Sequence, residues 1–229
     1  SEQLAEIRVA ASKHAQHNEH AMYRDPVTVE DVVGSRVVAD PLHLLDCCVI
    51  SDGGGALVVV SEDARDDIAR ECVEVLGHGE APYHHDGGRI DITRTGAEKS
   101  GERAFAEAGL GPDDVDYASI YDSFTITVLE AIEDLGFCEK GEGGAFVEGG
   151  TLQAPDGDLP FNTDGGGLCS NHPANRGGMT KVIEAVRQLR GEANPEVQVD
   201  ADVALAHGTG GSIATRHGAA TVLLGGDDR

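Results

Sequence analysis

The chain is short of positive charge, of paired cysteines and of long apolar runs. It has 17 Lys+Arg against 41 Asp+Glu, a formal net charge of −24 over 229 residues, and only four of the bases are lysine. Proteins that bind a phosphate backbone carry a basic footprint, so nucleic-acid binding is excluded. The longest unbroken apolar run, Ala56–Val60, is far too short to span a bilayer, and no membrane association is expected. Five cysteines (Cys47, Cys48, Cys72, Cys138 and Cys169) make an odd number and include no Cys-x-x-Cys pair. That argues against a disulfide framework and a Cys-rich zinc site, and free thiols suit a reducing cytoplasm.

What is present points to a folded α/β domain. Hydrophobic residues make up 40% and can build a core, while the 31 glycines show no repeat and imply tight turns and close backbone approaches. The acid-rich, lysine-poor composition suits a high-salt cytoplasm or a GC-rich genome equally well.

Helical spacing of Leu4, Ile7, Ala11 and His14 predicts a helix over residues 2–17. Thr28-Val-Glu-Asp31 has the form of a capping box, and Asp40-Pro41 ends the short helix it opens. Cys47–Ile50 and Ala56–Val60 read as strands, the second buried on both faces because it does not alternate. Residues 61–70 are helix-compatible, 71–77 read as a strand and 78–91 as a loop. Thr95–Ala108 is an amphipathic helix stopped by Gly109. Val115–Tyr121 reads as a strand, Ser123–Leu135 as a helix, 139–168 as a long Gly-rich excursion and Thr180–Leu189 as a helix. Val203–Ala206 and Ala219–Leu224 complete the strands. The glycine-led runs Gly55–Val60 and Gly218–Leu224 echo one another, as duplicated α/β halves or chance would produce. His14, His17 and His20 lie three apart but lack further ligands, and a solvated helix face is expected; His84-His85-Asp86 reads as a surface cluster.

Three stretches can carry chemistry. His172 follows three glycines and precedes a helix, whose N-terminus favours a neutral imidazole able to donate to an oxyanion or accept a proton; a turn-capping loop histidine fits the spacing as well. His207-Gly-Thr-Gly-Gly-Ser212 follows a strand, where α/β sheets place ligands and turn N–H groups can form an oxyanion hole; the alternative is a plain Gly-rich turn. Tyr121-Asp-Ser-Phe124 is a second strand end, in which Tyr121 is either a general acid or a buried, satisfied phenol.

Asn171-His-Pro173, with its Gly-rich lead-in and a helix ending Gln188-Leu-Arg-Gly191, resembles the Gly-His-Pro motif of thiolases. His207-Gly-Thr-Gly-Gly211 is similar to their Cys-x-Gly turn, and Tyr121-Asp-Ser-Phe124 to their Asn-Glu-Ala-Phe box, in the family's order. Residues 28–60, with Ser35–Pro41 and Ser51–Ala56, resemble the end of the family's N-terminal half. The resemblance is closest to the sterol-carrier-protein and lipid-transfer-protein type and spans nearly the whole chain.

The resemblance implies an α/β thiolase fold, layered αβαβα with mixed, mostly parallel sheets. Residues 1–66 would be the tail of the N-terminal thiolase domain and 67–229 the C-terminal domain, in a homodimer. It makes His172 the activating and oxyanion-binding histidine, Tyr121 an acid or water-positioning group, and His207, in the place of a cysteine, the proton shuttle. Phe124 would line the pantetheine tunnel, with Ser123, Thr209 and Gly210 in the same substrate- and CoA-binding set, Thr209 through its backbone N–H. Arg176, Arg187 and Arg216 are candidates for meeting the anionic CoA.

None of the five cysteines falls in the context of the family's nucleophile, so a chain lacking an N-terminal part is expected. The implied function is acyl-CoA-dependent C–C bond cleavage or formation, an acyl transfer on a 3-oxoacyl-CoA, with CoA as substrate and no tightly bound cofactor or metal. Tyr121 in place of Asn raises the alternative of a retro-aldolase on a hydroxyacyl-CoA side chain, working with an OB-fold, zinc-ribbon partner. A non-catalytic acyl-CoA- or lipid-binding subunit is the third reading.

Overall fold

The computed structural model describes residues 1–84, 91–174, 177–212 and 216–226. Helix α1 (Glu2–Ala15) buries Leu4, Ile7, Ala11 and His14, the stripe its spacing predicts. Helix α2 (Val29–Gly34) opens on the anticipated capping box: Thr28 Oγ1 accepts from Asp31 N–H, and Asp31 Oδ2 accepts from Thr28 N–H at 2.9 Å. Strands β1 (Val37–Ala39) and β2 (Leu42–His43) then pair as a small hairpin around Asp40-Pro41.

Strand β3 (Glu74–His84) leads through α3 (Ala97–Ala108) to β4 (Tyr117–Ile120). Then come α4 (Thr125–Asp134), the single turn α5 (Gly143–Phe146), α6 (Gly177–Leu189), β5 (Val203–Ser212) and β6 (Arg216–Gly225). The sheet order is β3-β6-β5-β4. It is mixed, as expected, but not mostly parallel: β3–β6 and β6–β5 are antiparallel and only β5–β4 is parallel. Only residues 213–215 separate β5 from β6, a hairpin-length link that enforces antiparallel pairing, whereas residues 121–202 give the long crossover a parallel pair requires.

Alternation along the strands sorts side chains between two cores. Ala118, Ile120, Val203, Leu205 and Leu223 pack with residues of α1, α3 and α4, among them Ile7, Ala104, Phe105 and Ile132. Tyr117, Ala204, Ala206 and Leu224 face the other way, against Ala185 and Leu189 of α6. The sheet is therefore covered by helices on both faces, giving an αβα sandwich. Helix α3 rides close on β3: a Cβ at Gly79 would strike Ser100 O, and one at Gly77 would lie 2.8 Å from Ala108 N. Gly109, at φ 69°, stops α3 in the left-handed cap expected of it. No helix among the described residues is long and apolar enough to cross a membrane.

Four local expectations are corrected. Residues 47–50 and 56–60 are not strands, and Ile50, Val58 and Val59 are exposed, so the proposed internal echo has no structural counterpart. A strand needs an edge to pair with, and the outer edge of β4 is taken: Ala118 N–H donates to Pro160 O, and the Asn162 amide bonds both Ile120 N–H and Ile120 O at 2.8 Å. Residues 78–84 are strand, not loop; β3 is an edge strand, where Pro82 leaves no ladder donor missing. His207–Ser212 is likewise strand, paired with β6 as far as Arg216. The 139–168 excursion contains α5 and a short 3₁₀ turn at Glu148–Gly150, and residues 62–67 form another 3₁₀ turn.

The fourth correction concerns His14, which is 1% exposed instead of solvated. Its Nε2 accepts from Ala154 N–H at 2.8 Å, tying α1 to the 139–168 excursion. His84-His85-Asp86 lies outside the described side chains. Burial lowers the His14 pKa from 6.5 to about 4. The unfolded chain therefore takes up a proton below pH 6.5 that the folded chain refuses until about 4, which weakens folding across that window by about 3 kcal/mol. An NMR titration should show the His14 ring protons moving near pH 4; a midpoint above about 6 would mean that His14 is solvated.

Candidate active site

The site forms where β4 runs out. Tyr121, the next residue, donates its N–H to His207 O at 2.9 Å, so the end of β4 is pinned to β5. Its ring lies on the first turn of α6, where a Cβ at Gly177 would collide with it; only glycine lets the helix start this close. Gly166–Ser170 form a π-helical turn that delivers His172, whose N–H donates to Ser51 Oγ at 3.0 Å. The result is a contact of 2.6 Å between Tyr121 Oη and His172 Nε2, with ring centroids 5.2 Å apart.

Desolvation sets the protonation of this pair. Burial raises the Tyr121 phenol and lowers the His172 imidazolium below its ordinary 6.5. Near neutral pH the phenol therefore keeps its proton and the imidazole is neutral, so Tyr121 O–H donates to Nε2 and the ring proton sits on Nδ1. Asp122 raises both groups and Lys181 lowers both.

Asp122 and Lys181, to which sequence reasoning gave no role, form a buried ion pair beneath the two rings at 3.2 Å. Asp122 Oδ1 also accepts from Gly167 N–H at 2.8 Å, and Oδ2 from Leu168 N–H at 3.1 Å. Arg8 of α1 donates to Leu168 O on the far side of the same turn. One signal for Lys181 was available: it falls in register with Ala185, Gln188 and Leu189 on the buried face of α6. Ser51 had no comparable signal.

The other expected site residues divide. Phe124 stands at the N-terminus of α4, 40% exposed and bridged to Cys47. Ser123 is half-buried; its carbonyl accepts from Cys48 N–H at 3.0 Å. Strand geometry sends the N–H of Thr209 to the same edge as His207 O, toward the β4 side beyond Ile120, where Tyr121 lies. Gly210 is exposed with open space at its Cβ position.

His207 is a correction. It pairs with Ile120 and Thr221 and so faces the α3 core, where Nδ1 hydrogen-bonds Thr221 Oγ1 at 2.9 Å. Its carbonyl holds Tyr121, but its imidazole is on the opposite face of the sheet from α6 and His172. The reading as a turn failed because the strand continues, and strand alternation then decides where the ring points. Among the thiols, burial pushes Cys48 up to about 11 and Cys169 up to about 12, so neither is a thiolate near neutrality. Arg187 pairs with Glu184 at 3.0 Å; Arg176 and the Arg216 side chain lie outside the described residues.

A mixed α/β sheet with a tyrosine–histidine pair at its β4–α6 end is thus the class of structure in hand. The family model described as thiolase C-terminal domain-like matches residues 79–225, and the chain belongs to that family. It is 40% identical over 218 residues to an acetyl-CoA acetyltransferase of Methanothermobacter thermautotrophicus, covering 93% of this chain and 56% of that protein. It is 38% identical over 217 residues to a steroid side-chain-cleaving aldolase of Thermomonospora curvata, covering 92% and 54%. The solved structure titled Ltp2-ChsH2(DUF35) aldolase superposes with a TM-score of 0.87 at 36% identity, covering all of this chain and 59% of that one. The chain thus spans about half the length of the relatives it matches.

Removing the phenol hydroxyl should release the histidine. In Tyr121→Phe the His172 titration, followed by NMR, is expected to rise while staying below its ordinary value, because the bond that favours the neutral ring is gone and the burial that lowers it remains. An unchanged midpoint would show that the two rings are not hydrogen-bonded in solution.

Proposed function

We propose that the Tyr121–His172 pair is the acid–base centre for cleaving or forming a C–C bond beside an acyl-CoA thioester. The 2.6 Å contact between a protonated phenol and a neutral imidazole carries this reading. Such a couple moves a proton without a formal charge on either group at rest.

Retro-aldol cleavage of a 3-hydroxyacyl-CoA suits the pair best. Tyr121 takes the proton of the substrate hydroxyl as it passes its own to His172 Nε2. The Cα–Cβ bond breaks, its electrons enter the thioester as an enolate, and the hydroxyl carbon leaves as an aldehyde or ketone. The Thr209 N–H, aimed past the end of β4, is the donor for the thioester oxygen. Protonation of the enolate by the couple gives the shortened acyl-CoA and restores the resting state. Phe124, Ser123 and Gly210 are read as the substrate- and CoA-binding surface around the pair.

Thiolase-type acyl transfer on a 3-oxoacyl-CoA is the second reading, favoured by the place of His172 in the Asn171-His-Pro173 motif and by the similarity to an acetyltransferase. It requires a nucleophilic thiolate; burial keeps Cys48 and Cys169 protonated, so in this reading the nucleophile comes from outside these residues. The similarity to an aldolase complex supports an OB-fold, zinc-ribbon partner for this chain. A homodimer and a division of the chain after residue 66 belong to this reading through the resemblance of its motifs to thiolases, and a cytoplasmic location through its free thiols.

Assays with a 3-hydroxyacyl-CoA, and separately with a 3-oxoacyl-CoA plus CoA, decide between the two chemistries. In the productive assay His172→Ala and Tyr121→Phe should each lower kcat by about 10²–10⁴. Turnover within about tenfold of the parent in both variants would remove the pair from the reaction.

A further inference from the structure

We propose that Asp122 and Lys181 are positioning residues, which hold His172 against Tyr121 by clamping the Gly166–Ser170 turn; this rests on the reading of the pair as the reacting centre.

Asp122 is 0% and Lys181 1% exposed, so neither charge gains anything from solvent. A buried ion pair is weak as a source of stability, because desolvation offsets the attraction and apolar residues of similar volume serve as well or better. What this pair supplies is geometry. The two carboxylate oxygens take three donors: Gly167 N–H, Leu168 N–H and the Lys181 ammonium. Each donor belongs to a segment that the active pair needs. Asp122 is the residue after Tyr121, Gly167 and Leu168 lie in the turn that delivers His172, and Lys181 stands one helical turn beyond Gly177, on which the Tyr121 ring packs.

The turn is moulded around the carboxylate. Gly166 has φ 60°, and a Cβ there would strike Asp122 Oδ2. A Cβ at Gly167 would lie 3.0 Å from Asp122 O and 3.0 Å from His172 Cδ2, so the imidazole is packed on the clamped peptide itself. Two of the three successive glycines, Gly166 and Gly167, thus fit a carboxylate of the chain's own, while Gly165 packs on Ala15 of α1. The charged and titratable groups acting on Tyr121 and His172 are Cys48, Asp122 and Lys181, and those acting on Lys181 are Asp122, Asp164 and Glu184.

The test compares the parent with Asp122→Asn/Lys181→Met, which removes both charges without leaving one buried alone. The bond between Tyr121 and His172 is read by NMR of the His172 ring nitrogens, independently of turnover, and kcat and KM are measured in the productive assay. Loss of the bond with kcat lowered about a hundredfold and KM little changed is the expected result. A bond that persists overturns the clamp, whatever happens to kcat. A lost bond with unaltered kcat upholds the clamp and overturns the role of the pair in the reaction. If the double variant fails to fold, Asp122→Glu keeps the charges balanced while lengthening the arm. It should also break the bond, and an intact one there overturns the proposal.

Discussion

The carboxylate of Asp122 accepts three hydrogen bonds in a space that water does not reach. In so low a dielectric an ionised carboxylate persists only while its donors stay in place, so the segments supplying them cannot move independently. The end of β4, the π-helical turn before His172 and the first turns of α6 are bound into one unit by that requirement. The short contact between Tyr121 and His172 is a consequence of it. So are Gly166 and Gly167, because peptides that converge on a carboxylate leave no room for side chains.

The sheet imposes the second constraint. Tyr121 lies just past β4 and His207 is its neighbour on β5, yet their rings are on opposite faces. A slip of one residue in β4 would turn the Tyr121 ring to the face of His207. The chain therefore brings two expected catalytic residues together and directs a third into the core, where Thr221 and Ser100 form a continuous buried hydrogen-bonded chain with it. The chemistry proposed beside a thioester then falls to a tyrosine and a neutral histidine, with β5 contributing backbone.

Features set by local physics were legible in the sequence. The Thr28 capping box, the Gly109 stop and the apolar stripe of α1 depend on residues within a few positions of one another. The motifs around Tyr121 and His172 were also visible, through their likeness to a family. What depended on distant partners was not. Ala56–Val60 has the composition of a buried strand, but among the described residues no strand pairs with it and Val58 and Val59 are exposed. Pro82 marked a loop until the sheet order made β3 an edge. His207 looked exposed because its glycines suggested a turn, and those glycines lie in a ladder. Asp122 sat inside a recognised motif without a role, since its partners are about 45 and 59 residues away along the chain.

The central claim is that acyl-CoA chemistry occurs on the α6 face, at His172, and not on the α3 face, at His207. Titration of the ¹⁵N-histidine-labelled protein with a non-hydrolysable acyl-CoA analogue tests it directly by NMR. The account predicts that the His172 ring resonances shift with bound ligand while those of His207 stay in place. Movement of His207 with His172 unaffected would contradict it.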